Sequence, residues 1–164
     1  MKTTTRKSSS KSADVKVAAA KPVEKNVSAP KKIAKAPLAH AVGRRKSSVA
    51  RVWVRSGKGA FVVNSKEALT YFDTDLSRAR ALAPWTVLPH LNNEYDIEVN
   101  VSGGGIHSQA DAVKLGIARA LITVREDVRN ALRSEGLLTV DSRIKERKKY
   151  GQRGARRKFQ FVKR

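Results

Sequence analysis

The chain has 164 residues, with 35 Lys plus Arg against 14 Asp plus Glu, for a formal net charge of +21. It has no cysteine, which excludes disulfide frameworks, thiolate zinc sites and cysteine nucleophiles together. The length suits one ordinary domain with material to spare, and the natural counter-ion for so basic a chain is a polyanion, with nucleic acid the first candidate. No stretch approaches the roughly 18 apolar residues of a membrane-spanning helix, so no membrane partner is expected. The first residues lack the apolar core of a secretory signal.

The charge is unevenly laid out. Residues 1–40 hold 10 cations and 2 acids, residues 41–139 hold 14 and 10, and residues 140–164 hold 11 and 2. A near-balanced body therefore sits between two basic extensions, with expected boundaries of 1–38, 39–139 and 140–164. Residues 1–38 are rich in Lys, Ala, Ser and Thr, carry Pro22, Pro30 and Pro37, and have no helical apolar stripe. They bury too little to offset the entropy of ordering and read as disordered. An RNA-contacting arm and a plain solubilising tail both fit that composition. A transit peptide fits less well, because Lys rather than Arg dominates and Asp14 and Glu24 interrupt the run.

A first strand is expected from near Ala39, ending at Arg44-Arg45-Lys46. Val49–Arg55 alternates with Ala50, Val52 and Val54 on one face, and Ala60–Asn64 reads as another strand. Ser56-Gly57-Lys58-Gly59 between them predicts a short hairpin loop. Asn64 with Glu67 resembles a helix N-cap and its N3 acid, opening a short helix through Phe72. Asp75 caps a second helix with Leu76, Ala79 and Leu82 on its stripe, which Pro84 ends or kinks. Tyr95–Val101 alternates cleanly: Tyr95, Ile97, Val99 and Val101 face a core, while Asp96, Glu98 and Asn100 face water. After Ser102 and three glycines, Ile106, Ala110, Val113, Ile117, Ala120 or Leu121, and Val124 recur at helical spacing over about five turns. Asp127 opens a last helix through Val128 and Leu132, closed by Gly136. The expected fold class is an α+β two-layer sandwich, a mostly antiparallel four-stranded sheet with helices on one face.

Gly103, Gly104 and Gly105, between a strand and a helix N-terminus, admit an anion reading. The spacing matches neither a P-loop nor GxGxxG, and a tight turn with close helix–sheet approach is the simpler alternative. His40, His90 and His107 are scattered without metal-ligand spacing. Asp73 with Asp75 suits a helix start, and Asp96 with Glu98 suits the wet side of a strand. No catalytic constellation, metal site or cofactor is expected.

The segment Gly103-Gly104-Gly105-Ile106-His107-Ser108-Gln109-Ala110-Asp111-Ala112-Val113-Lys114-Leu115-Gly116-Ile117-Ala118-Arg119-Ala120-Leu121 closely resembles the signature of the small-subunit ribosomal protein nine family. Gly43-Arg44-Arg45-Lys46-Ser47-Ser48-Val49-Ala50-Arg51-Val52 resembles that family's opening strand. Asp141-Ser142-Arg143, Glu146 to Gly151, Ala155-Arg156-Arg157 and Gln160 to Arg164 resemble its tail in the bacterial or organellar form. The resemblance covers roughly residues 39–164 and departs from the family at Val162, where Ser is common.

It implies a β-β-β-α-β-α order with a left-handed crossover, against the usual right-handed rule. It also implies a structural, non-enzymatic role in the small ribosomal subunit, on cytoplasmic or organellar ribosomes. The implied partners are small-subunit rRNA, whose 3′ major (head) domain the body binds, neighbouring proteins of the subunit head, and peptidyl-site tRNA. Lys163 and Arg164 become the tRNA contacts. Arg44, Arg45, Lys46, Arg147, Lys148, Lys149, Arg153, Arg156, Arg157 and Lys158 become the rRNA contacts. Tyr150, Phe159 and Phe161 are interleaved among the tail cations, where guanidinium groups and rings can stack on bases. Two alternatives come from other classes: a kinase-like protein of the same fold holding phosphate at Gly103–Gly105, and a non-specific nucleic-acid binder.

Overall fold

The computed structural model describes residues 36–161. The N-terminal arm through residue 35, Val162 and the expected tRNA contacts Lys163 and Arg164 lie outside the described residues. Five strands, β1 (Ala39–Arg45), β2 (Ser48–Ser56), β3 (Phe61–Val63), β4 (Lys66–Glu67) and β5 (Tyr95–Ser102), form one sheet in the order β1-β2-β5-β3-β4. Four helices accompany it: α1 (Ala68–Tyr71), α2 (Asp75–Val87), α3 (Ile106–Val124) and α4 (Arg129–Ser134). The fold is α+β.

The sheet has five strands rather than the four expected, and the hairpin expected between β2 and β3 does not form. β5 lies between them, antiparallel to β2 and parallel to β3. The cause is a long-range contact. The Asp96 carboxylate at the start of β5 accepts backbone N–H groups from Lys58, Gly59 and Ala60 at 2.8, 3.0 and 2.9 Å. The glycine-rich link therefore wraps over the end of β5 instead of closing a local turn. Gly57 has to lack a side chain there, because a Cβ would land on the Asp96 carboxylate.

Asn64 does not cap a helix. Asn64 and Ser65 both have positive φ, 45° and 64°, and form the two-residue turn that creates the small strand β4. The Asn64 side chain is spent on β5: its Oδ1 accepts the Val101 N–H at 2.8 Å, and its Nδ2 donates to the Val101 carbonyl at 3.0 Å. In α2 the expected stripe is also displaced. Leu76 and Ala79 are exposed and Leu82 is half-buried, while Ser77, Ala81, Pro84 and Trp85 face inward. A polar residue leads the buried face because its hydroxyl is satisfied: Ser77 bonds Thr74 Oγ1 and His107 Nδ1, each at 2.8 Å. Pro84 sits within α2 rather than ending it.

The strongly periodic segments fold as expected. β5 buries Tyr95, Ile97, Val99 and Val101, in register with Val54, Val52 and Ala50 of β2. Gly136 (φ 66°) closes α4 with Gly136 N–H to Arg133 O at 3.0 Å and Leu137 N–H to Leu132 O at 3.1 Å, a Schellman cap. α3 is buried more completely than an amphipathic stripe implies, with Ala112, Leu115, Gly116 and Ala118 also covered. It approaches β1 closely through a pair of glycines. A Cβ on Gly43 would overlap the Ala112 carbonyl and lie 2.5 Å from the Gly116 nitrogen; one on Gly116 would lie 2.6 Å from Val52 Cγ2. This contact brings the end of β1, with its cations, against the first half of α3.

Candidate nucleic-acid interface

The three glycines form a turn stitched to the β1–β2 turn. Gly103 and Gly104 have φ of 74° and 65°, the region glycine favours. A Cβ on Gly103 would meet the Ser47 carbonyl, and one on Gly104 would meet the Ser48 and Ser108 hydroxyls. Ser48 Oγ donates to the Gly103 carbonyl at 3.0 Å and lies 2.7 Å from Ser108 Oγ. Ser108 Oγ in turn accepts the Gly105 N–H at 3.1 Å. Two of the three glycines thus serve close approach of the helix start to the β1–β2 turn, while Gly105 has open space around it.

The cation triplet Arg44-Arg45-Lys46 divides into two kinds of residue. Arg44 is exposed at the end of β1, and Lys46 is exposed in the turn with φ 53°. Arg45 falls on the same side as Gly43, toward α3, and its side chain is only 12% exposed. Its guanidinium lies 2.8 Å from Asp141 and 3.8 Å from Asp111, and donates to the Arg143 carbonyl at 2.6 Å. Arg45 is therefore the anchor of the C-terminal tail and is not presented to solvent. Asp111, Arg80 and Asp141, none of them among the expected RNA contacts, complete this network; Arg80 lies 3.5 Å from Asp111. The available signal was Asp111 itself, the only acid in α3.

Asp141 also accepts from Arg143, from the backbone N–H at 3.0 Å and from the guanidinium at 2.8 Å. The Arg143 side chain, then its backbone N–H, hold the Asp141 carboxyl far below the usual carboxylate range; Asp141 raises the Arg143 pKa in return. Beyond this root the tail is exposed but not featureless. Arg156 donates Nε to both oxygens of Glu146, at 3.0 and 2.9 Å, which lowers the Glu146 pKa and raises that of Arg156. The chain then doubles back. Gln152 pairs with Lys158, and Arg153 N–H donates to the Arg157 carbonyl at 2.8 Å. The Arg153 guanidinium sits over the Phe159 ring, 5.3 Å from its centroid.

This reversal presents cations and rings outward. Tyr150 is 97% exposed and Phe161 fully so. Arg147, Lys148, Arg157 and Lys158 are exposed and form no ion pair among the described residues. Large rings held in water beside guanidinium groups offer base-stacking surfaces, and the loose cations offer phosphate contacts. Among the described residues there is no cluster of three or more His, Cys, Asp or Glu that could hold a metal ion. His107 is engaged by Ser77, and His40 packs on Trp53 with ring centroids 5.1 Å apart.

Comparison with known proteins covers both the body and the tail. Residues 43–164 match the family model described as ribosomal protein S9/S16. The small ribosomal subunit protein uS9 of Cytophaga hutchinsonii is 52% identical over 125 residues, 76% of this chain and 97% of the relative. That of Chlorobaculum tepidum is 51% identical over 123 residues, 75% and 95% of the two chains. That of Mycoplasmopsis synoviae is 53% identical over 123 residues, 75% and 93%. With a basic, anchored tail on a five-stranded α+β body and a match spanning both, the chain belongs to the ribosomal protein S9/S16 family.

Proposed function

We propose that the chain is a non-enzymatic constituent of the small ribosomal subunit, with its body on the 3′ major domain of the rRNA in the subunit head. Its C-terminal tail extends toward the anticodon stem-loop of peptidyl-site tRNA. The observation that carries this reading is the tail over residues 140–161, whose root is fixed to the body by Arg45 while its cations and rings face outward. A merely solubilising tail needs no such anchor. Arg44, Lys46, Arg147, Lys148, Lys149, Arg153, Arg157 and Lys158 are the rRNA-facing groups, contacting phosphates in a way that positions the protein without reading sequence. Arg156 joins them on leaving Glu146, and Lys163 and Arg164 at the chain end are the tRNA contacts.

The same reading assigns neighbouring head proteins as partners and gives the crossover from β3 to β5 the family's left hand. It places the chain on cytoplasmic or organellar ribosomes. Among the described residues no helix is long and apolar enough to cross a membrane. Sucrose-gradient fractionation of the tagged full chain is the test: co-sedimentation with small subunits is expected, and accumulation at the top of the gradient would overturn the reading.

A further inference from the structure

A cavity of about 370 Å³ opens where β1, α2, α3 and the tail root meet. Arg44 reaches it from β1, Arg80 from α2 and Lys114 from α3, while Thr139, Asp141 and Arg143 form the tail-side wall. Its lining carries five cations and two carboxylates; Asp111 is paired with Arg45 and Arg80, and Asp141 with Arg45 and Arg143. Arg44 and Lys114 have no ion-pair partner among the described residues. Like charges gathered around one concavity repel each other, and an anion seated among them relieves that repulsion. Guanidinium groups match phosphate oxygens bidentately, and a Lys ammonium adds a point charge.

We infer that this cavity is a phosphate site for an RNA backbone, complete only while the Arg45–Asp141 clamp holds the tail root in place. The inference rests on the RNA-binding reading above and deepens it. Because one wall is the tail root, phosphate binding and the direction in which the tail leaves the body are thermodynamically linked: each favours the other. Backbone contact by the body would then aim the tail before its distal residues meet their own partner.

The test uses the full chain, with inorganic phosphate as the probe and NMR shifts as the readout. Phosphate should perturb the amides of 111–115 and 139–143 saturably. Lys114→Gln and Arg80→Gln should each weaken that response by roughly tenfold, the scale of a lost charge-assisted hydrogen bond. Asp141→Asn is the discriminating variant. It removes a negative charge, so a simple Coulombic patch would bind phosphate more tightly; a cavity built by the clamp binds it more weakly. Tighter binding in Asp141→Asn would overturn the coupling. Perturbation confined to the distal tail, or a Lys114→Gln chain identical to wild type, would overturn the site. None of these results alters sedimentation of the wild-type chain with small subunits, so the two readings fail separately.

Discussion

Gly43→Ala tests the packing that brings the cationic end of β1 to α3. The new methyl group would overlap the Ala112 carbonyl and sit 2.5 Å from the Gly116 nitrogen, where ordinary contacts of carbon with heavy atoms lie near 3.5–4.0 Å. Both obstacles are backbone atoms of α3, so no side-chain rotation relieves them and the helix has to move away from the sheet. Overpacking of this kind costs about 1–3 kcal/mol, and a rigid backbone obstacle puts this variant near the upper end. For a body of this size that corresponds to a fall in Tm of roughly 10–20 °C, read by far-UV circular dichroism on the full chain. Gly116→Ala provides the contrast. Its nearest obstacle is a side-chain atom, Val52 Cγ2 at 2.6 Å, and alanine gains about 1 kcal/mol of helix propensity over glycine. Its net effect should stay within about 1 kcal/mol of zero, and adding Val52→Ala should couple favourably with it, by about 0.5–1 kcal/mol. A Gly43→Ala melt within about 3 °C of wild type would refute the close-approach argument.

Removing Lys163 and Arg164 should weaken peptidyl-site tRNA binding in reconstituted subunits while assembly proceeds; loss of assembly would make these residues architectural, and no change in either would make them dispensable. Arg157→Gln should lower the slope of log affinity for small-subunit rRNA against log salt by about one. Arg156→Gln should lower it by less, because Arg156 already spends its guanidinium on Glu146; equal slopes would contradict that pairing. The Asp141 and Glu146 carboxyls should titrate below their ordinary values of about 3.9 and 4.3 in a carboxyl-carbon NMR titration. The sign follows from the direction of the shifts. Both folded pKa values are depressed, so the tail-root contribution is complete above the ordinary carboxylate range and is lost only as pH falls through the lowered values. Tail-root amide shifts that change between pH 8 and pH 5 would contradict it.

Short-range pattern alone determined much of this protein. The alternation of Tyr95–Val101, the helical spacing after Ile106 and the terminating Gly136 each depend on neighbours within a few residues, and each appears in the structure where the pattern puts it. The cations and interleaved rings of residues 140–164 are plain in the sequence, but the reversal that pairs Gln152 with Lys158 is not. Tertiary structure decided what depends on distant partners. The glycine-rich link after β2 looks like a hairpin until Asp96, 36 to 38 residues away, gathers its three N–H groups. Asn64 looks like a helix cap until Val101 claims its side chain. Arg45 looks like one of three equivalent RNA-facing cations until Asp111 and Asp141 converge on it from α3 and the tail root. Of the +21 charge, composition shows only how much there is. Which cations hold the chain together and which are left for a polyanion depends on carboxylates that reach them only through the folded topology.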